Sequence, residues 1–161
     1  MRVLFVCLGN ICRSPTAHAA TLEALTDAGV ADDVELDSAG IGGWHIGRPP
    51  DARMRAAAEA DGLTLRGPAR QVTAGELADW DLILAMDREN LADLRAMTAD
   101  DAVRDRIRLF RDYDSDAIAA EVPDPYYGGS QGFAEVVRIC RAAAGGLADD
   151  IVARLDGGSR G

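Results

Sequence analysis

Apolar positions follow two rhythms in this chain. Unbroken runs, Val3-Leu4-Phe5-Val6 and Leu82-Ile83-Leu84-Ala85-Met86, read as buried strands. The series Phe133, Val136, Val137, Cys140, Leu147, Ile151 has the spacing of one helix face. Read this way, the chain opens with a strand over Arg2–Val6 and a helix from about Pro15 to Ala28, stopped by Gly29. A strand over Val34–Ser38 follows, then a loop through Gly42, Gly43, Gly47 and Pro49, and a helix ending near Gly62. Thr73 with Glu76 forms the capping-box spacing for a short helix. The remaining elements are a strand over Asp81–Met86, a helix around Arg88–Met97, a short strand near Ile107–Phe110, a long loop from Arg111 to Gly132, and a last helix over Phe133–Leu155. Strands alternating with helices predict an α/β fold: a single-domain, four-stranded parallel sheet with helices on both faces. In such sheets ligands bind beyond the carboxyl ends of the strands.

Composition narrows the picture. A length of 161 residues suits one domain with a substantial core, and 48% apolar with 27% charged residues is ordinary for a globular protein. The domain is expected to span residues 1–156, with 157–161 as a disordered tail. A net charge of −10 argues against nucleic acid as a partner, since phosphate backbones reward clustered positive charge. All 17 basic residues are arginine, a bias on which no function is built. No apolar run approaches the ~20 residues of a membrane span, and the chain enters a strand directly without a signal-peptide pattern, so a cytoplasmic protein with no membrane partner is expected. Three cysteines are too few for a disulfide framework, and Cys140 falls on the apolar face of the last helix. His18, His45 and Cys140 do not cluster, so neither a metal site nor a cofactor is expected.

The chemistry lies where the first strand ends. Cys7-Leu8-Gly9-Asn10-Ile11-Cys12-Arg13-Ser14-Pro15 carries a thiol, a Gly-Asn turn and the start of a helix. Gly9 and Asn10 tolerate backbone conformations that other residues resist. Such a turn can aim successive N–H groups inward and form an anion nest at a helix N-terminus. Arg13, six positions beyond Cys7, supplies a planar fork suited to phosphate oxygens. The segment therefore reads as a phosphate-binding loop around a nucleophile, in a setting that favours the thiolate. Ser14 could donate to that thiolate. The alternative for a cysteine at a strand end, a small buried hydrophobe, is outweighed by the surrounding loop. A departing alkoxide or phenoxide also needs a proton. His18 reads as a polar helix-face residue and His45 as a residue of a rim, whereas Asp124 is held between Pro123 and Pro125 in a stiffened loop.

The segment Cys7–Ser14, together with Asp124-Pro125-Tyr126-Tyr127-Gly128 and the intermediate Ser38-Ala39-Gly40, Trp44, Ala69-Arg70-Gln71 and Met86-Asp87-Arg88-Glu89-Asn90-Leu91, resembles the low-molecular-weight protein tyrosine phosphatase family over nearly the whole chain. The resemblance implies hydrolysis of phosphotyrosine, and of small aryl phosphates, through a phosphocysteine on Cys7. Arg13 would bind phosphate, and Asp124 would serve as acid and then base. Ser14 would stabilise the thiolate, Asn10 and Ser38 would hold the loop, and the amides from Leu8 through Gly9, Ile11 and Cys12 to Arg13 would line the cradle. Trp44, Tyr126 and Tyr127 would wall the cleft. The implied partners are tyrosine-phosphorylated proteins, with inorganic phosphate as product and inhibitor. Cys12 is left with two readings: a resolving thiol for oxidised Cys7, which the resemblance supports, or a side chain packed under the loop.

The chain departs from the family pattern twice. Gly67 stands where many members have a histidine supporting the loop asparagine, and Ile41 where threonine is common. Both touch loop support and leave the nucleophile in place. Other functions compete less well. An arsenate reductase would need cysteines between Arg13 and Gly132, where there are none. A protein-arginine phosphatase tends to carry threonine at the position of Ile11. A phosphocysteine carrier or phosphate-binding module would have no need of Asp124.

Overall fold

Alternate residues of the first strand, β1 (Arg2–Cys7), belong to two separate cores. Val3, Phe5 and Cys7 pack on one face of the sheet, Leu4 and Val6 on the other. Such a strand must lie inside a sheet covered on both sides, which explains why its sequence is apolar without a break. The computed structural model describes residues 1–126 and 129–158. Its sheet has four parallel strands in the order β2 (Glu35–Gly40), β1, β3 (Leu82–Ala85), β4 (Ile107–Leu109). The chain leaves β1 to one side and returns on the other, so the order reverses between β1 and β3. In doubly wound sheets this reversal opens a crevice at the carboxyl ends.

Three helices cover the first face: α1 (Arg13–Asp27), α2 (Ala52–Ala60) and α5 (Ser130–Gly158). Their buried side chains, including Ala17, Leu25, Met54, Phe133, Val136 and Leu147, meet Phe5 and Leu84. The second face is covered by a 3-10 helix (Ala74–Asp79), α3 (Arg88–Ala96) and α4 (Asp101–Arg104), through Leu77, Trp80, Leu94 and Val103. Aspartates start three of these helices. Asp51, Asp87 and Asp100 each accept backbone N–H groups of the first turn that would otherwise lack a partner. Helix α1 ends on Gly29 at φ +77°, where Val30 N–H closes onto the Leu25 carbonyl at 3.0 Å. Among the described residues no helix is long and apolar enough to cross a membrane.

Several boundaries differ from the sequence reading. Helix α1 begins at Arg13, two residues before Pro15, so the arginine itself is in the first turn. Strand β2 continues past Ser38 to Gly40, because Gly40 still pairs with Cys7. Strand β4 stops at Leu109, and Phe110 opens a 3-10 turn through Tyr113. Helix α4 has only four residues, too few to show a periodic pattern. Helix α5 starts at Ser130, before the first apolar residue Phe133, and runs through Gly157 and Gly158, where a disordered tail was expected to start. The segment after β4 is fastened to the end of β3. Val122 N–H donates to the Met86 carbonyl at 2.8 Å, and Arg88 N–H donates to Glu121 Oε2 at 2.7 Å.

Candidate active site

The segment from Cys7 to Arg13 turns its carbonyls outward. Ile41 N–H donates to the Cys7 carbonyl and Gly42 N–H to that of Leu8, each at 2.9 Å. Asp51 N–H takes the Ile11 carbonyl at 2.9 Å, and Thr16 Oγ1 donates to the Cys12 carbonyl at 2.8 Å. In a trans peptide each N–H points opposite the preceding C=O. The N–H groups of Leu8, Gly9, Cys12 and Arg13 are therefore directed away from those partners, toward the inside of the loop. Asn10 N–H points at Cys7 Sγ, at 3.2 Å. The N-cap of α1 is Cys12, which makes no side-chain capping bond, so the helix start presents amides to an anion. Gly40 makes the bracing possible: an added Cβ would meet Gly9 C and Leu8 O at 3.0 Å and Asn10 N at 3.1 Å.

Asn10 is the hub behind this cradle. It is buried with φ +59°, a left-handed conformation that asparagine tolerates better than most residues. Its Nδ2 donates to Ser14 Oγ at 2.8 Å and to Ser38 Oγ at 3.0 Å, and its Oδ1 accepts Arg70 N–H at 2.9 Å. Both amide hydrogens and the carbonyl are thus occupied without any contribution from position 67. Gly67 has φ +84°, which a histidine would adopt only with strain. Ser14 in turn lies 3.1 Å from Cys7 Sγ.

Arg13 is 3% exposed. Its Nη1 donates to Asp87 Oδ2 at 2.6 Å and to the Val122 carbonyl at 3.1 Å, and its Nη2 faces Asp124 Oδ2 at 3.6 Å. Burial works against the guanidinium charge, but Cys7, Asp87 and Asp124 around it more than offset this and push its pKa up. The cation is permanent and its fork has a fixed direction. Asp124 accepts Tyr126 N–H on Oδ1 at 3.1 Å, an Asx-type turn, and presents its other oxygen toward Arg13.

Cys7, Leu8, Gly9, Ile11, Cys12, Arg13, Trp44, His45, Asp124 and Tyr126 share one cleft of about 360 Å3. Asn10, Ser14 and Ser38 stand behind it. Tyr126 is clamped by Arg53, whose guanidinium lies 5.4 Å from the ring centre and donates to the Tyr126 carbonyl at 3.3 Å. Tyr127 lies outside the described residues. Cys12, although it lines part of the cleft, is buried and packs in the core cluster, and burial first, then Asp51, pushes its thiol up to about 12. Cys140 is fully buried in the same core.

A model of the low molecular weight phosphotyrosine protein phosphatase family matches residues 2–156. The chain belongs to this family. It is 42% identical to the low molecular weight protein-tyrosine-phosphatase of Streptomyces coelicolor over 97% of this chain and 96% of that one. It is 45% identical to the Bacillus subtilis low molecular weight protein-tyrosine-phosphatase YfkJ, over 86% of this chain and 88% of that one. A crystal structure of a protein tyrosine phosphatase from Entamoeba histolytica, with Hepes in its active site, superposes with a TM-score of 0.89 at 34% identity and 99% coverage of both chains.

Set beside this phosphatase family, three residues gain importance that the sequence reading did not give them. Asp87, which the sequence offered only as part of the Met86–Leu91 resemblance with no role of its own, carries the Arg13 anchor. His45 packs against the loop: a Cβ on Gly9 would sit 2.9 Å from its Cδ2, and its ring lies 6.2 Å from that of Tyr126. Arg70 contributes its N–H to Asn10 and its side chain to two carboxylates. His18, read as a polar helix-face residue, is half-buried and stacks on Phe5 at 6.3 Å, and burial lowers its pKa.

Proposed function

We propose that this chain is a protein tyrosine phosphatase that hydrolyses phosphotyrosine in protein substrates, and small aryl phosphates, through a phosphocysteine on Cys7. The observation that carries the reading is the convergence of Cys7, Arg13 and Asp124 on one cleft with aromatic walls. The inward amides and the Arg13 fork hold the three non-bridging phosphate oxygens and neutralise charge as it spreads over them. Cys7 Sγ attacks phosphorus and the P–O bond to the tyrosine breaks. Asp124 gives its proton to the leaving phenoxide oxygen. A water molecule then attacks the phosphocysteine, passing a proton to Asp124, and the S–P bond breaks to release inorganic phosphate. Ser14 and the Asn10 N–H, at 3.1 and 3.2 Å from Cys7 Sγ, stabilise the sulfur as it leaves with the electron pair.

Trp44 and Tyr126 give a phenyl ring flat surfaces to pack against, and Ile11 at the cleft wall gives it an apolar one. This favours phosphotyrosine over phosphoarginine. Inorganic phosphate, as product, is a competitive inhibitor in this reading. The three free thiols suit a cytoplasmic setting. The test is phosphate release from a phosphotyrosine peptide and a phosphoarginine peptide side by side, with chelator present. Release from phosphotyrosine supports the reading. Release confined to phosphoarginine, or from neither, contradicts it.

A further inference from the structure

Behind the loop lies a cluster of charges that does not touch the cleft. Arg70 Nη1 and Nη2 donate to the two oxygens of Glu76 at 3.0 and 2.8 Å, and its Nε donates to Asp37 Oδ2 at 3.0 Å. Glu76 is fixed from the other side by Thr73 N–H at 2.9 Å, Thr73 Oγ1 at 3.0 Å and Trp80 Nε1 at 3.2 Å. A planar fork gripped by two carboxylates has little freedom of direction.

The geometry points to Arg70 and Glu76 as positioning residues that hold Asn10, and through it the phosphate loop, in its binding conformation. Asn10 is gripped at Oδ1 by the Arg70 N–H and at Nδ2 by Ser38 Oγ. These two grips come from different strands of chain, and the Arg70 side chain ties them together. It bonds Asp37, whose other oxygen accepts the Ser38 N–H at 2.8 Å. The Arg70 carbonyl also accepts Gly40 N–H at 2.9 Å, next to the point where Gly40 touches the loop backbone. Asn10 holds a left-handed φ of +59°, and such conformations persist only where the surroundings over-determine them. Loosening the clamp frees Asn10 to relax, which turns its N–H away from Cys7 Sγ and disorders the inward amides. Arg70 and Glu76 are part-exposed, 34% and 18% at the side chain, so removing them opens little core.

The proposal rests on the phosphatase reading for its activity readout, and a second readout keeps the two separable. Arg70→Met keeps the backbone N–H and an aliphatic stem of similar length. Its turnover per active site, counted by the burst of phenol released, is expected to fall about 10- to 100-fold, because small misplacements of binding groups carry penalties of that size. Its affinity for inorganic phosphate, measured by calorimetry, is expected to weaken about 10-fold. Glu76→Gln should show the same pattern less strongly, and Glu76→Asp should recover most of both values. Glu35→Gln, which breaks an ion pair with Arg2 at the opposite end of β1, should leave both at the wild-type value. If Arg70→Met and Glu76→Gln lower only the melting temperature or the fraction of active molecules, with turnover per site and phosphate affinity unchanged, the pair is merely structural and the proposal is overturned. If the wild type binds phosphate without hydrolysing any ester, the phosphatase reading fails, and the calorimetry alone decides whether the clamp positions the loop.

Discussion

Asp87 Oδ2 accepts the Arg13 Nη1–H at 2.6 Å while its Oδ1 caps helix α3 through Asn90 N–H at 2.7 Å. One carboxylate thus joins the end of β3 to the cation in the first turn of α1, across the point where the strand order reverses. Asp87→Ser keeps a capping oxygen but removes the charged anchor. It should lower kcat/KM about 10- to 100-fold, the scale of losing a transition-state contact of roughly 1.4–2.7 kcal/mol, with only a small change in melting temperature. Unchanged kcat/KM would mean that Arg13 keeps its direction without Asp87.

Gly40 predicts a steric effect. An alanine Cβ would stand 3.0 Å from Gly9 C and Leu8 O, both backbone atoms that cannot swing aside. Gly40→Ala should cost about 1–3 kcal/mol of stability by overpacking and should lower activity by displacing the loop. Gly75→Ala, where an added Cβ meets nothing within 4 Å, should be neutral in both assays. Equal melting temperatures for the two variants would contradict the close approach.

Much of this arrangement was legible beforehand, and the gaps have physical causes. The unbroken apolar runs of β1 and β3 announce strands covered on both faces, and the Cys7–Arg13 segment carries its chemistry in its own residue types. Asp87 stood in the Met86–Leu91 segment of the resemblance without a role, because an aspartate before a helix is an ordinary N-cap. Its second role depends on β3 lying beside β1, which periodicity does not specify. Arg70, named within Ala69-Arg70-Gln71, also lacked a role, since its group toward Asn10 is a backbone N–H that no side-chain pattern reports. The start of α1 was read two residues late because proline marks a first turn without saying which position in it. The end of α5 was read early because Gly157-Gly158 looks like a stop, whereas the helix continues through both.

Glu76 predicts an acid transition. Its pKa is lowered to about 2 from 4.5: desolvation by burial opposes the shift, and the bonds from Arg70 and Thr73 outweigh it. A carboxyl group with a depressed folded-state pKa adds stability that is full above its unfolded value and fades as pH falls toward its folded value. The contribution, on the order of 2 kcal/mol after allowance for solvent screening, should therefore be present above about pH 4.5 and lost toward pH 2. Glu76→Gln should be less stable than wild type at pH 7, and the difference should shrink through that window in chemical denaturation. A difference independent of pH would contradict the assigned ionisation.

The thiols predict selective alkylation. Cys12, pushed up to about 12, remains a protonated thiol near neutral pH, and Cys140 is fully buried. Iodoacetate at pH 7 should add one carboxymethyl group, on Cys7, and inorganic phosphate should protect it. Comparable labelling of Cys12, read by peptide mass spectrometry, would contradict the burial that raises its pKa.

Asp124 predicts a dependence on the leaving group. Asp124→Ala should depress turnover most for aryl phosphates whose phenols have high pKa values and least for activated ones, because only the former need a proton in the transition state. An effect of equal size across the series would remove Asp124 from the role of general acid.

The most direct test of the whole account is acid-quench trapping of the enzyme during turnover of an aryl phosphate, with chelator present and wild type compared with Cys7→Ser. The account predicts a single phosphoryl group on the Cys7 peptide of the wild type, and a Cys7→Ser protein that still binds inorganic phosphate but does not turn over. Phosphate release by Cys7→Ser at the wild-type rate, or rapid wild-type turnover with no phosphoryl group ever found on Cys7, would contradict it.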